Sequence, residues 1–154
     1  MLLYAGTIFL AAFLLFLVQP IMAKQILPWF GGSAAVWATC MLFFQSMLLA
    51  GYAYADWTTR RMKPDSQVRL HFVLLAASLM LLPIIPDAAW KPLGEENPSI
   101  RILGLLSLSI GLPYLMLATT SPLIQAWFAR RYHGTLPYRL FALSNLASLL
   151  ALVA

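Results

Sequence analysis

The chain has 154 residues, of which 62% are hydrophobic and 10% are charged, and its formal net charge is +5. A soluble domain carries about 25% charged residues, so this composition excludes an ordinary water-soluble globular protein. The length also leaves no room for a soluble catalytic domain of ordinary size beside the apolar segments. We therefore predict a single transmembrane domain over residues 1–154, an all-α polytopic bundle.

The first apolar segment covers residues 2–22, and a turn with Lys24 and Gly31-Gly32 separates it from the second segment at 34–54. A hydrocarbon core about 30 Å thick needs about 20 apolar residues per helical crossing, which both segments supply. The two segments therefore predict a helical hairpin in lipid. A secretory signal peptide is the alternative for the first segment, and the lack of a preceding basic region disfavours it.

Three further apolar segments follow. A polar loop at 56–69 precedes the third segment, residues 70–85, which is short for a crossing and ends in prolines. Residues 87–101 are expected to form an exposed loop. The fourth segment covers 102–124. The fifth, at 138–154, is still apolar where the sequence stops, so we expect the natural chain to continue. The sequence predicts four full spans and a fifth, incomplete one.

The basic residues predict the orientation. With five spans, the N-terminus and the loops at 56–69 and 130–139 share one side, which carries seven of the ten basic residues. The positive-inside rule therefore predicts a cytoplasmic N-terminus. Because the basic residues flank apolar segments, lipid headgroups are the expected partners and nucleic acid is not. The residues expected to contact headgroups are Arg60, Arg61, Lys63, Arg130 and Arg131.

Polar side chains inside the apolar segments are costly in lipid and are expected to face neighbouring helices. This set comprises Gln19, Gln45, Thr119, Thr120, Ser121, Gln125, Ser144, Asn145 and Ser148. Interhelical hydrogen bonds explain the set most simply, and a polar pocket or path is the functional alternative. Pro113 and Pro122 are expected to kink the fourth segment, with the hydroxyls of residues 119–121 bonding the carbonyls that a proline frees.

Small residues recur four positions apart, a spacing that lets helices approach closely or dock onto another membrane subunit. The pairs are Gly51 with Ala55, Ser107 with Gly111, Ser144 with Ser148, and Ala147 with Ala151. The single cysteine, Cys40, lies in the second segment and is expected to be a small buried filler.

Residues that could carry chemistry are scarce. The two histidines are His71, at the start of the third segment, and His133, in a basic loop, and neither has a metal-ligand spacing. We expect His71 at the membrane interface, and ligation of a haem or pigment from a neighbour is the weaker alternative. Every Asp and Glu lies in a predicted loop, which disfavours a proton or cation path. We therefore expect no catalytic residue, metal or cofactor.

Distinctive clusters occur along the chain: Gln19-Pro20, Leu27-Pro28, Gly31-Gly32-Ser33, Phe43-Phe44-Gln45, Gly51-Tyr52-Ala53-Tyr54, Thr119-Thr120-Ser121-Pro122, Gln125-Ala126-Trp127-Phe128 and Ser144-Asn145-Leu146. Together they resemble the N-terminal helical module of bacterial spermidine-synthase-like integral membrane proteins, also described as fused major-facilitator/spermidine-synthase proteins. The resemblance covers nearly the entire chain.

In that family the helices precede a cytoplasmic domain similar to aminopropyltransferases, which would bind decarboxylated S-adenosylmethionine. No position here corresponds to the glycine-rich nucleotide fold or the acidic polyamine-binding residues of that domain. The resemblance therefore implies a fold, a topology and the bacterial inner membrane, without enzymatic activity for this chain.

The expected function is that of a non-catalytic accessory or structural subunit that docks onto a larger membrane complex, with lipids and other membrane subunits as partners. Respiratory and photosynthetic complexes are candidate hosts, and the sequence selects neither. Two alternatives stay open. One is a permease-like or lipid-handling half-bundle with its site at the kink between Pro113 and Gln125. The other is the membrane anchor of a separately encoded aminopropyltransferase-like enzyme.

Overall fold

The computed structural model describes residues 2–94, 97–132 and 138–154. The regular structure in these ranges is helical, as predicted. The elements are α1 (Leu2–Phe30), α2 (Ala34–Arg61), α3 (Pro64–Met80), a 3₁₀ turn (Ala88–Trp90), α4 (Pro98–Ser109), α5 (Gly111–Arg131) and α6 (Tyr138–Val153).

The helices long and apolar enough to cross a membrane are α1 and α2, and α4 with α5 if this bent pair counts as one crossing. With 29 and 28 residues, α1 and α2 are each more than about 40 Å long, beyond the roughly 30 Å of the hydrocarbon core. By contrast, α3 has 17 residues and α6 has 16. The described residues thus contain two or three candidate crossings, and the full count of five stays a prediction.

The first hairpin has a shorter turn than the sequence predicts. Helix α1 continues beyond residue 22 through Lys24, and residues Gly31, Gly32 and Ser33 alone separate it from α2. The helix continues because in an apolar medium it bonds its own N–H and C=O groups. The glycines have φ values of +91° and +60°, which other residues adopt only with strain. Ser33 caps α2 by accepting a hydrogen bond from the N–H of Val36 at 3.3 Å.

The polar stretch predicted as a loop at 56–69 is largely helical. Helix α2 runs on to Arg61, α3 begins at Pro64, and Met62 and Lys63 form the connection. Proline suits the first helical position because the N–H it lacks would have no intrahelical partner there. This tight reversal places the end of α2 beside the first turns of α3.

The fourth predicted span is broken. Helix α4 ends at Ser109, α5 begins at Gly111, and the two helices are bent by 68° at the break. Pro113 lies in the first turn of α5 and has no N–H to donate to the carbonyl of Ser109, so a continuous helix would lose this bond. Pro122 lies inside α5 without ending the helix.

Helix α5 is the centre of the bundle. It packs against α1, α2, α3 and α4, while α6 packs mainly against α1. The main core lies among α1, α2, α4 and α5 and includes the buried residues Ile26, Cys40, Phe44, Leu105 and Tyr114. A smaller core joins α1, α5 and α6 through Ile8, Phe128 and Leu140. Cys40 is fully buried, as predicted.

Small residues let α2 and α5 approach closely, as the sequence predicts for Gly51. A Cβ atom at Gly51 would lie 2.7 Å from the Cβ of Ala118 and 3.1 Å from its carbonyl carbon. Four other members of the predicted small-residue pairs are buried: Ala55, Gly111, Ala147 and Ala151. Ser107 is exposed, and Ser144 and Ser148 are half-buried.

The outer surface of the bundle is apolar. Large hydrophobic side chains are exposed on α1, α2, α3, α4 and α6, for example Leu3 at 86%, Leu49 at 71% and Val153 at 87%. So many exposed large apolar side chains are unfavourable in water and are expected on a bundle in acyl chains. The structure therefore supports a membrane protein.

The two ends of the bundle differ in their side chains. One end contains the start of α1, the α2–α3 connection and the end of α5, and Tyr4 packs edge-on against Phe128 there. We call it the basic end, because the sequence clusters at 60–63 and 130–131 lie in these segments. At the other end, the Nζ atom of Lys91 lies 5.2 Å from the ring centroid of Trp29. The described residues thus place the start of α1, the 56–69 stretch and the end of α5 at one end, and the orientation itself stays a prediction.

Candidate functional site

A buried hydrogen-bond network joins α2, α3 and α5 at the basic end. At its centre, Gln67 is fully buried and uses both ends of its amide. Its Nε2 donates to the hydroxyls of Thr58 at 2.9 Å and Thr59 at 3.1 Å. Its Oε1 accepts from Trp127 Nε1 at 3.0 Å and from Arg130 Nη1 at 3.4 Å. We call these five residues the Gln67 cluster.

The cluster also holds the guanidinium of Arg130. Its Nη2 donates to the carbonyl oxygen of Thr59 at 2.7 Å, and the residue is half-buried. The headgroup contact predicted for Arg130 stays a prediction, and its guanidinium also donates two hydrogen bonds into the bundle. The other four residues of the predicted headgroup set are exposed: Arg60, Arg61, Lys63 and Arg131.

His71 lies one turn further along α3 and faces the interior of the bundle. It is 6% exposed, and its ring centroid lies 6.3 Å from that of Tyr54 and 6.2 Å from that of Trp127. The interfacial position predicted for His71 stays a prediction, but its ring is enclosed by the bundle, because α3 begins at Pro64 and not near residue 70. The Nδ1 of His71 and the hydroxyl of Tyr54 are buried without a hydrogen-bond partner among the described residues. His133 lies outside the described residues.

A second polar contact crosses the main core. The Nε2 of Gln19 donates to the hydroxyl of Tyr114 at 2.7 Å and so joins α1 to α5. Tyr114 is fully buried and Gln19 is half-buried. The interhelical bond expected of Gln19 is therefore present in the structure.

This pair predicts a measurable coupling. Gln19→Leu leaves the buried hydroxyl of Tyr114 unpaired, and Tyr114→Phe removes that hydroxyl. We expect each change to lower the free energy of unfolding in micelles by about 1 kcal/mol, and the double variant to cost about 1 kcal/mol less than the sum. A double-mutant cycle with strictly additive costs would contradict the interaction.

Most of the other predicted interior residues bond within their own helices. The hydroxyls of Thr119 and Thr120 donate to the Met116 carbonyl at 2.9 and 2.7 Å. The Nε2 of Gln125 donates to the Ser121 hydroxyl at 3.1 Å. The Ser148 hydroxyl donates to the Ser144 carbonyl at 2.9 Å. The two threonine hydroxyls thus do not bond the Ala118 carbonyl that the half-buried Pro122 frees. These hydrogen bonds satisfy the polar groups within one helix, and they do not form a polar pocket at the kink between Pro113 and Gln125.

Gln45 and Asn145 differ from the rest of the predicted set because both are exposed. Each lies near the middle of its helix, α2 or α6, and neither amide bonds another residue of the described ranges. Their exposed neighbours are apolar, such as Leu49 at 71% and Leu149 at 61%. The interior position expected for the two amides is therefore wrong, because no described helix covers these faces.

The sequence does not single out Gln67, because it lies in the stretch interpreted as a loop. The available signal is Pro64, a favoured first helical residue, followed by Asp65 in the first turn. A helix begun at Pro64 places Gln67 and His71 four residues apart on one face.

Comparison of the chain with models of protein families, with curated proteins and with solved structures finds no match. The resemblance to spermidine-synthase-like membrane proteins therefore stays a hypothesis, and the function has to be inferred from the geometry.

Proposed function

We propose that this chain is a non-catalytic subunit of a larger membrane complex and binds its partner through the exposed faces of α2 and α6. One observation carries the proposal: Gln45 and Asn145 are exposed near the middle of apolar helices. A carboxamide facing acyl chains has no hydrogen-bond partner, and each unsatisfied polar group costs several kcal/mol there. A partner helix with polar side chains removes this cost.

The interior of the bundle supports the same proposal. The Gln67 cluster and the bond between Gln19 and Tyr114 connect helices to one another. The hydroxyls near Pro122 bond the backbone of their own helix. Apart from Tyr54 and His71, whose hydroxyl and Nδ1 have no partner among the described residues, these interior groups hold the bundle together, which favours an accessory role over a permease-like one.

We further propose that the basic end faces the cytoplasm of a bacterium and that the bundle lies in the inner membrane. The exposed Arg60, Arg61, Lys63 and Arg131 support this orientation, because short cytoplasmic segments carry an excess of Lys and Arg. The bacterial membrane follows from the sequence resemblance.

The docking proposal predicts loss of an assembly when the two amides are removed. We expect the tagged wild-type chain, extracted in a mild detergent, to migrate on a native gel as a particle heavier than one chain. Gln45→Leu with Asn145→Leu is expected to reduce that particle by about tenfold, because two interhelical hydrogen bonds are lost. Leucine is favourable at a lipid-facing position, so the bundle itself is expected to stay folded.

Gln25→Leu is the matched control. Gln25 is also exposed but lies near the end of α1, on neither of the two helices proposed to dock, and its replacement is expected to leave the particle intact. A monomeric wild-type chain in every mild detergent would contradict the proposal, as would an undiminished particle in the double variant.

A further inference from the structure

A groove runs between the first half of α1 and the part of α5 from Leu117 to Arg131. One part, of about 410 Å³, is lined by residues that include Gly6, Thr7, Leu10, Leu14, Leu117 and Thr120. The adjoining part, of about 470 Å³, shares Leu3 and Thr7 with it and opens at the basic end. We call the two parts together the α1–α5 groove.

The floor of the groove suits hydrocarbon. Its two hydroxyls are bonded within their own helices, Thr7 to the Leu3 carbonyl at 2.8 Å and Thr120 to the Met116 carbonyl at 2.7 Å. The remaining side chains of this part are apolar. The floor therefore has little hydrogen-bonding capacity to offer a polar solute.

Gly6 keeps the groove open. A Cβ atom at this position would meet no atom within 4 Å, so no close contact inside the chain requires glycine here. Glycine in a helix interior is less favourable than alanine by roughly 0.5–1 kcal/mol. The missing side chain leaves space on the face of α1 that forms the groove.

The length of the groove matches one leaflet. From Leu3 to Leu14 the helix rises about 16 Å, and half of the hydrocarbon core is about 15 Å thick. One acyl chain can therefore lie along α1 from the basic end to about the middle of the membrane.

The mouth of the groove carries a positive charge and aromatic side chains. Arg131, the last residue of α5, lines it together with Tyr4, Trp127 and Tyr132. Among the described residues that line the groove, none is acidic. Tyrosine, tryptophan and arginine are the side chains that favour the headgroup region, and arginine binds phosphate with a fork of donors.

We infer that the α1–α5 groove binds one anionic phospholipid, with its phosphate at Arg131 and one acyl chain against Gly6, Leu10 and Leu14. The site lies apart from the exposed amides of α2 and α6, so it does not depend on the docking proposal. The charge at the mouth, the apolar floor and the length of one leaflet together select this occupant.

Native mass spectrometry of the full chain tests the inference. The protein is transferred into micelles of neutral detergent and titrated with phosphatidylglycerol or phosphatidylcholine. We expect one phosphatidylglycerol to bind more tightly than phosphatidylcholine. Gly6→Leu fills the open space without a clash and is expected to weaken binding of both lipids by about tenfold. Arg131→Gln is expected to weaken phosphatidylglycerol alone, by about fivefold.

Two matched controls separate the groove from the general surface. Ala38→Leu adds the same side chain type at an exposed position of α2, and Arg61→Gln removes a charge at the basic end outside the groove. Ala38→Leu is expected to leave lipid binding unchanged, and Arg61→Gln is expected to weaken phosphatidylglycerol binding by less than about twofold. Unchanged binding in Gly6→Leu, or equal losses in Arg131→Gln and Arg61→Gln, would overturn the inference. So would a wild-type oligomer that Gly6→Leu dissociates, because a protein helix would then occupy the groove.

Discussion

Replacing Gly51 by leucine is expected to force α2 and α5 apart and to lower the free energy of unfolding by about 3 kcal/mol. A Cβ atom here would already lie 2.7 Å from the Cβ of Ala118, and backbone atoms of Ala118 and Thr119 lie at 3.1 and 3.3 Å. A neighbouring side chain could rotate away, but backbone atoms cannot. The helices must therefore separate, which opens the core around Phe44 and Tyr114.

The measurement is reversible unfolding in mixed micelles, followed by circular dichroism. Ala50→Leu is the matched control, because Ala50 is the preceding residue and is exposed; we expect a change within about 0.5 kcal/mol there. The loss in the free energy of unfolding for Gly51→Ala is expected to lie between those of Gly51→Leu and Ala50→Leu. An unchanged unfolding midpoint for Gly51→Leu would show that α2 and α5 do not approach this closely.

The second large effect is expected at Gln67. Gln67→Leu leaves the Nε1–H of Trp127 and the Nη1 of Arg130 without their acceptor, and we expect a loss of about 2–3 kcal/mol in the free energy of unfolding. The local stability of α3 should decrease most, because this helix packs mainly against α5. Gln67 provides the polar bonds between these two helices.

Hydrogen exchange resolved by segment tests this localisation. Backbone amides of α3 are expected to exchange about tenfold faster in Gln67→Leu, with those of α1 and α6 unchanged. Ser66→Ala is the control, since Ser66 is the adjacent exposed residue, and it should behave as the wild type. Equal acceleration in all helices would argue that the Gln67 cluster supports the whole bundle and does not anchor α3 alone.

Several features of the fold could be predicted because they depend on nearby residues or on average composition. The apolar runs predict helices in lipid, and Gly31-Gly32-Ser33 predicts the reversal between α1 and α2. The lack of a Cβ atom at Gly51 predicts a close approach of two helices, because the size of a residue is known from its type alone. The sequence predicts the ends of the helices less accurately. Pro64 and the polar residues after it, for example, are compatible with either a loop or the start of a helix.

The placement of polar side chains could not be predicted in the same way. Gln19 and Gln45 are both glutamines in apolar segments, yet Gln19 bonds Tyr114, 95 residues away, and Gln45 is exposed. Gln67 bonds Trp127 and Arg130, which are 60 and 63 residues away. Such bonds depend on which helices are neighbours and on how each helix is rotated.

The sequence by itself determined the helical class of this protein and its apolar exterior, because the free energy of transfer into lipid sums over every side chain and needs no knowledge of contacts. The tertiary structure alone decided the burial of His71, the Gln67 cluster and the exposure of Gln45 and Asn145. Hydrogen bonding and burial depend on distances between residues far apart in the chain, and helix packing sets those distances.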